Sequence, residues 1–400
     1  MNLTLTEEQR LIQTSAMDWL AANYDFRRRE DGVHRAGGSP AAWRAFAEMG
    51  WLALPLPEAA GGLGGGPLEV GLLMQALGRH LVVEPVHGSV LQAARLLALN
   101  GTAAQEAAWL PGAVSGAHRL ALVHGEPGER LPWARRRASA RRVGQQWSLE
   151  GRKRMAIGAP GAARWLVSAS EVNGPDRVFL VDPAAPGVTS SMVLLADGGC
   201  AADVEFTDVL LTDADLLPAA PPVGLSPLHA VLAESLLASC WEATGAMQSA
   251  LEQTVAYTAQ RRQFGQPLAA FQVVQHRRAE MTVQCIEAQA VCELAAMRMA
   301  RDPSNAVEEA TVAKSKVARA ARFVAQEAVQ LHGAMGVCEE LPVAATFRKL
   351  QAFAAQGGDA ASHSLHYGRS LLAAKRFDRS RTLTPDGADP SMLPAPEQPA

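Results

Sequence analysis

Beyond Ser226 the chain carries helical periodicity in stretches too long for an ordinary globular helix, and this limits the possible folds more than any other feature. Ser226-Pro227 reads as an N-cap followed by proline at the first helical position. Leu228, Leu232, Leu236, Cys240, Ala243, Ala246, Ala250 and Tyr257 then mark one face of a helix running to about Arg262. A second helix is expected from about Pro267 to Arg301, stopped by Asp302-Pro303. A third covers about Val307 to Leu331 and stops at Gly333, and a fourth covers about Ala360 to Lys375. The first two exceed 30 residues, or about 50 Å at roughly 1.5 Å per residue. Long antiparallel helices with short connections bury their apolar stripes against one another as a four-helix bundle.

The texture differs upstream. Residues 1–118 also read as helical: Thr4-Leu5-Thr6-Glu7 has capping-box spacing, and Leu5, Leu11, Ile12, Ala16, Trp19 and Leu20 recur at helical intervals. Further helices are expected over Pro40–Met49, Leu68–Leu77 and Gly88–Leu99, with a glycine-rich loop at 61–66. Between 119 and 217 the period shortens. Runs at 120–123, 146–149, 165–168, 178–181 and 204–206 are short, apolar or alternating, and are separated by Gly, Pro, Asn and Asp. The expected fold class is therefore α+β and multidomain. It has an N-terminal helical domain (1–118), a middle β-barrel or sandwich domain (119–217) and a C-terminal four-helix bundle (218–376). The proline-rich end (377–400) reads as a disordered tail.

Composition excludes several functions. The net charge of −3 carries no overall electrostatic footprint for nucleic acid. No run approaches 18 consecutive apolar residues, so no membrane span is expected. The N-terminus has no basic or apolar signal region. Cys200, Cys240, Cys285, Cys292 and Cys338 are scattered and form no C-x-x-C pair. Neither disulfides nor a metal site is expected, and buried thiols in a reducing cytoplasm account for them. Arg135, Arg136, Arg137, Arg141 and Arg142 read as a solvated face of the β region, with a phosphate- or CoA-facing patch as the alternative.

Two segments carry more chemistry. Tyr257–Gln272 joins two long helices and contains Arg261, Phe264, Gly265 and Gln272. An arginine at a helix end beside the next helix's N-terminus can hold a pyrophosphate, and an aromatic can pack on an adenine or flavin plane. A plain surface arginine is the alternative. Gln330-Leu-His-Gly333-Ala-Met-Gly336 places glycines after a helix, either to admit a ligand close to the backbone or merely to stop the helix.

Taken together and in this order, these segments resemble the acyl-CoA dehydrogenase family over about residues 3 to 375. Tyr257–Gln272 resembles its Y-x-x-x-R-x-x-F-G-x-x-x-x-x-x-Q segment, and Gln330–Gly336 its Q-x-x-G-G-x-G, with Ala334 in place of the second glycine. Glu58–Gly64 is similar to its Y-G-G-L-G stretch, and Trp147–Lys153 to W-x-L-x-G-x-K. The resemblance implies the acyl-CoA dehydrogenase fold, FAD as cofactor and an acyl-CoA thioester as substrate, in acyl-CoA catabolism. It implies a dimer or dimer of dimers, with electron-transfer flavoprotein as an electron acceptor. Arg261, Phe264, Gln272, Gln330 and Gly333 would then contact FAD, partly across a subunit interface. In the family, the α-proton goes to a carboxylate and the β-hydride to the flavin.

The departures are informative. Met155 and Ile157 stand where the family has a tryptophan and a threonine against the flavin ring. The T-E-P-x-x-G-S-D loop reads Gly125-Glu-Pro-Gly-Glu-Arg-Leu131, without its serine and aspartate. The catalytic glutamate, about nine residues past an arginine matching Arg348, falls on Gly357. A minority of the family carries the base earlier, which aligns with Ser235, beside Glu234. Asp359 and Glu234 are the candidate replacement bases. Glu242, eight residues past Glu234, shares its helical face. The pattern is similar to the small, diverged subunits of two-subunit enzymes such as pimeloyl-CoA dehydrogenase. Three readings follow: a subunit without its own base, paired with a second acyl-CoA dehydrogenase-like chain; a self-sufficient homo-oligomer using Asp359 or Glu234; and a non-enzymatic structural partner.

Overall fold

The computed structural model describes residues 4–172, 174–219 and 224–374; the expected tail at 377–400 lies outside them. The N-terminal part contains α1 (Glu7–Asn23), α2 (Phe26–Arg29), α3 (Pro40–Glu48), α4 (Pro67–Arg79), α5 (Arg95–Asn100, entered through a π-helical run His87–Ala94) and α6 (Ala103–Val114). The capping box sits two residues later than its spacing suggests. Thr6 and Gln9 exchange backbone and side-chain bonds, at 3.2 Å and 2.9 Å, and start α1 at Glu7.

Seven strands follow in one curled sheet: β1 (Leu120–Val123), β2 (Ser139–Val143), β3 (Gln146–Ile157), β4 (Arg164–Glu171), β5 (Asp176–Val181), β6 (Val188–Leu194) and β7 (Cys200–Leu211). The order is β1-β4-β2-β3-β7-β6, with β5 paired to β4. Two strands do not announce themselves in sequence, for physical reasons. β2 pairs through Arg141 and Arg142, whose guanidiniums reach Asp208 and Asp213 on the solvent side. β6 is an edge strand exposed over most of its length, so it lacks an apolar alternation. The arginine group is not uniformly solvated either. Arg136 is buried and bidentate to Glu129, because the fold closes the Glu126–Ala138 segment over it.

The third part comprises α7 (Pro227–Gln260), the short hairpin strands β8 (Arg262–Gln263) and β9 (Gln266–Pro267), α8 (Gln272–Arg301), α9 (Ala306–His332), α10 (Pro342–Ala355) and α11 (Ala360–Ala373). Ser226 caps α7 by accepting from the His229 amide at 3.2 Å. Among the described residues, the helical region holds five helices where four were expected. α10 follows the Gly333–Val337 turn and packs on α7 and α9 through Val343, Ala345, Leu350 and Phe353. One continuous apolar core joins α1, α3 and α4 to α7–α10, while the sheet keeps a separate core around Trp147, Trp165, Phe179 and Phe206. Between these cores, where β3 ends opposite the end of α10, the chain leaves a cleft.

Candidate functional site

The cleft has a volume of about 740 Å³ and lies between the sheet and the α10–α11 connection. Its sheet wall is built by β3. A register shift between Lys153 and Ala156 against β7 turns the strand, and Met155 takes a left-handed φ of 54°. The Met155 amide donates to Asp203 at 3.0 Å, and its thioether stands on the cleft wall, 45% exposed. Lys153, two residues earlier and ahead of that register shift, is buried. Its Nζ donates to Glu126 Oε1 at 2.8 Å and to the His124 carbonyl at 3.1 Å. Burial pushes the Lys153 ammonium down to about 8, against the pull of Glu126. Burial also opposes charge on Glu126, but Lys153 and the amides of Arg137 and Ala138 hold its carboxyl below the usual range. This buried pair anchors the Gly125–Pro132 loop that forms the cleft's upper lip.

The opposite wall is the end of α10 and the Gln356–Asp359 loop. Lys314 of α9, fully buried, donates to the Phe353 carbonyl and lies 3.5 Å from the centre of the Phe353 ring. Burial pushes its ammonium down to about 8. Gly357 has φ 66°, and a Cβ placed there would sit 3.0 Å from Leu236 Cδ1 of α7. A side chain at 357 therefore meets both backbone strain and an occupied core. Asp359 lines the cleft, but its carboxylate caps α11, accepting from the Ser362 amide at 2.7 Å. That bond holds its carboxyl below the usual range.

Ile157 lies deeper, in an adjoining polar cavity of about 70 Å³ with His87, Glu242, Lys349 and Gln356. Glu242 and Lys349 pair there at 2.6 Å. Burial pushes His87 down to about 4, with Lys314 and Lys349 adding to the shift, so its ring is neutral. Glu234 is elsewhere. It accepts two bonds from Arg95, at 3.0 and 3.3 Å, and lines a separate void of about 30 Å³ with Ser235. In that void Gln92 donates to the Ser235 hydroxyl at 3.2 Å.

The remaining sequence candidates gather at one end of the helical region. Tyr257 of α7 stacks on His332 of α9, with ring centres 4.4 Å apart, and this stack brings the 257–272 segment beside the 330–337 segment. Arg261 caps α7, and its side chain makes no hydrogen bond or ion pair with the described residues. Phe264, at the hairpin tip with φ 53°, is 90% exposed and meets only the edge of Phe271. Gln272 and Gln330 are exposed, and Gly333 ends α9 with φ 60°. The cleft is lined by none of these five residues; Met155 alone of the expected cofactor residues lines it. His87 and Lys349 line the adjoining cavity, and Lys314 and His363 bond the Phe353 and Gly357 carbonyls, without any motif to mark them. Their only signal in sequence is a polar residue set in an otherwise apolar helical face.

Comparison with known proteins agrees with this architecture. Residues 6–117 match a family model described as acyl-CoA dehydrogenase, N-terminal domain, and residues 224–372 match acyl-CoA dehydrogenase, C-terminal domain. The acyl-CoA dehydrogenase FadE28 of Mycobacterium tuberculosis is 31% identical over 303 residues, covering 76% of this chain and 84% of that protein. A chain of the ChsE4-ChsE5 complex from Mycobacterium tuberculosis superposes with a TM-score of 0.84 and 27% identity, covering 93% of this chain and 99% of that one. A chain from a variant of the Tcur3481-Tcur3483 steroid ACAD superposes with a TM-score of 0.83 and 29% identity, covering 93% and 100%. Among the described residues, no helix is long and apolar enough to cross a membrane.

Proposed function

Because this chain belongs to the acyl-CoA dehydrogenase family, whose members are FAD-dependent oxidoreductases, we propose that it is a diverged subunit without the usual catalytic glutamate. It works paired with a second acyl-CoA dehydrogenase-like chain, in the manner of small subunits such as that of pimeloyl-CoA dehydrogenase. The observation that carries this reading is Gly357. The position that the resemblance reserves for the base holds a glycine in a left-handed conformation, and Leu236 occupies the space a side chain would need. Two relatives in fold whose names join two proteins, ChsE4-ChsE5 and Tcur3481-Tcur3483, support the pairing. The ranges of the two family models support domains at 1–118, 119–217 and 218–376.

The residues fit FAD in two separate places. The cleft lies within the range of about 300–1,000 Å³ usual for small-molecule sites, and Met155 and Leu195 give it apolar surface for a flat ring. Arg261 keeps an uncommitted guanidinium at the junction of α7 and α8. When bound, FAD supplies the hydride acceptor for α,β-desaturation of an acyl-CoA. On this chain, Met155 would wall the ring, with Ile157 behind it in the adjoining cavity. Arg261 would pair with the pyrophosphate, Phe264 would cover a planar group, Gln272 and Gln330 would offer amides, and Gly333 would admit the ligand to the backbone. With Arg95 holding Glu234 and α11 holding Asp359, the α-proton is left to a carboxylate of the partner. Electron-transfer flavoprotein is the proposed acceptor.

The visible spectrum of the purified chain and its turnover of an acyl-CoA panel test this directly. Bound flavin with turnover only after a second subunit is added is the expected result. A colourless chain that takes up no FAD, or full activity of the chain alone, would reject the reading.

A further inference from the structure

His363 of α11 is fully buried beneath the cleft loop. Its Nε2 lies 2.9 Å from the Gly357 carbonyl oxygen, which can only accept, so Nε2 carries the proton. Burial pushes the ring down to about 4, and at neutral pH Nδ1 is therefore a bare acceptor. Nδ1 has no partner among the described residues, and neither has the buried indole Nε1 of Trp133, which can only donate. The two rings lie 6.2 Å apart, edge to face at 78°. Trp133 directly follows the Gly125–Pro132 lip of the cleft. The loop is also pressed on the ring: a Cβ at Gly358 would fall 2.8 Å from His363 Nε2 and 2.6 Å from the Arg130 carbonyl. Ser315 and Ser364 bond at 2.7 Å, and Lys314 holds the Phe353 carbonyl, so both helices flanking the loop are tied to α9.

We propose that His363 is a positioning residue for the flavin cleft, holding the Gln356–Asp359 loop through Nε2 and receiving the Trp133 indole N–H at Nδ1 when the two walls close on the cofactor. The role rests on the FAD reading above. One unmet buried donor and one unmet buried acceptor stand side by side on opposite walls. Joining them, directly or through one water, satisfies both. The neutral ring is suited to this, because its two nitrogens face a carbonyl on one wall and an N–H on the other.

Hydrogen exchange of the 354–362 segment in the full chain, with and without FAD, tests the role alongside FAD affinity and the flavin absorption spectrum. His363→Leu should speed exchange and weaken FAD by roughly tenfold each, the effect of one lost hydrogen bond. His363→Gln, whose terminal amide can donate to Gly357, should restore both. Trp133→Phe should leave exchange unchanged without FAD and raise it in the FAD-bound protein. If His363→Leu fails to fold, His363→Asn replaces it, since that shorter amide does not reach Gly357. Wild-type exchange in the Leu or Asn variant would overturn the proposal. Faster exchange with unchanged FAD affinity and spectrum would reduce His363 to a structural residue. Unaltered exchange of Trp133→Phe in the FAD-bound form would remove the link between the walls. A wild-type chain that binds no FAD rejects the site itself, while the exchange data still report whether His363 holds the loop.

Discussion

The cleft between sheet and helices and the hairpin end of the bundle are built on opposite principles. Around the cleft, four buried cations are answered within the chain: Lys153 by Glu126, Arg136 by Glu129, Lys349 by Glu242, and Lys314 by a helix-end carbonyl. At the hairpin, Arg261, Phe264, Gln272 and Gln330 stand in solvent, and the Arg261 guanidinium has no answering group among the described residues. The first region answers its buried charges within one chain. The second has the exposure and unmet polar groups of a surface that another molecule covers. On the proposed reading, the cleft lacks a base because Glu126, Glu129 and Asp359 are each held by hydrogen bonds within the chain.

Turnover should separate the regions most strongly. Adding a complementary subunit should raise α-proton abstraction by about 10²–10⁴, the usual worth of a general base. Asp359→Asn and Glu234→Gln should leave that gain intact when followed by stopped-flow flavin bleaching. If the purified chain is active alone and Asp359→Asn abolishes it, the cleft does contain its own base and the contrast fails.

Stability should divide them next. Lys153→Met strips the partner from a buried carboxylate, and chemical denaturation should show a loss of about 3–5 kcal/mol. Phe264→Ser, at a side chain already in water, should change stability by less than about 0.5 kcal/mol. Equal effects would mean the hairpin is packed within the chain after all.

Cofactor affinity should reverse that ranking. Arg261→Ala removes a charge-assisted contact of about 1.5–3 kcal/mol, so FAD titration should show binding weakened roughly 10- to 100-fold, with the melting temperature little changed. Unaltered flavin affinity would take Arg261 out of the site.

The remaining expected effect is a change of slope with pH. Lys314 has its ammonium depressed from 10.5 to about 8 by burial. Between those values the unfolded chain holds a proton that the folded chain has released. By linkage, the lysine's contribution to stability then increases as pH rises through the window, and below about pH 8 the buried charge is a constant cost. Wild type should therefore gain stability relative to Lys314→Met between about pH 8 and 10. Parallel curves for the two proteins would place Lys314 in contact with water.

The sequence by itself determined most helices and most strands, because periodicity is a local property, although α6 and α10 were not read from it. Leu228, Leu232 and Leu236 mark one face whatever lies opposite, and Ser226-Pro227 starts α7 unaided. Segments legible through their resemblance, Tyr257–Gln272 and Gln330–Gly336, are likewise short and contiguous. Where the side chains face solvent, periodicity is silent, and β2 and β6 were illegible for that reason. Only the tertiary structure decided what each acid does. Glu234 meets an arginine 139 residues away, and Lys153 meets Glu126 through a strand and loop 27 residues apart. Asp359 turns to its own helix, and Leu236 fills the space beside Gly357 from more than 100 residues upstream. A carboxylate's role depends on its partner, its burial and the room around it, and in a chain of this length those are set by residues that are distant in sequence and adjacent only after folding.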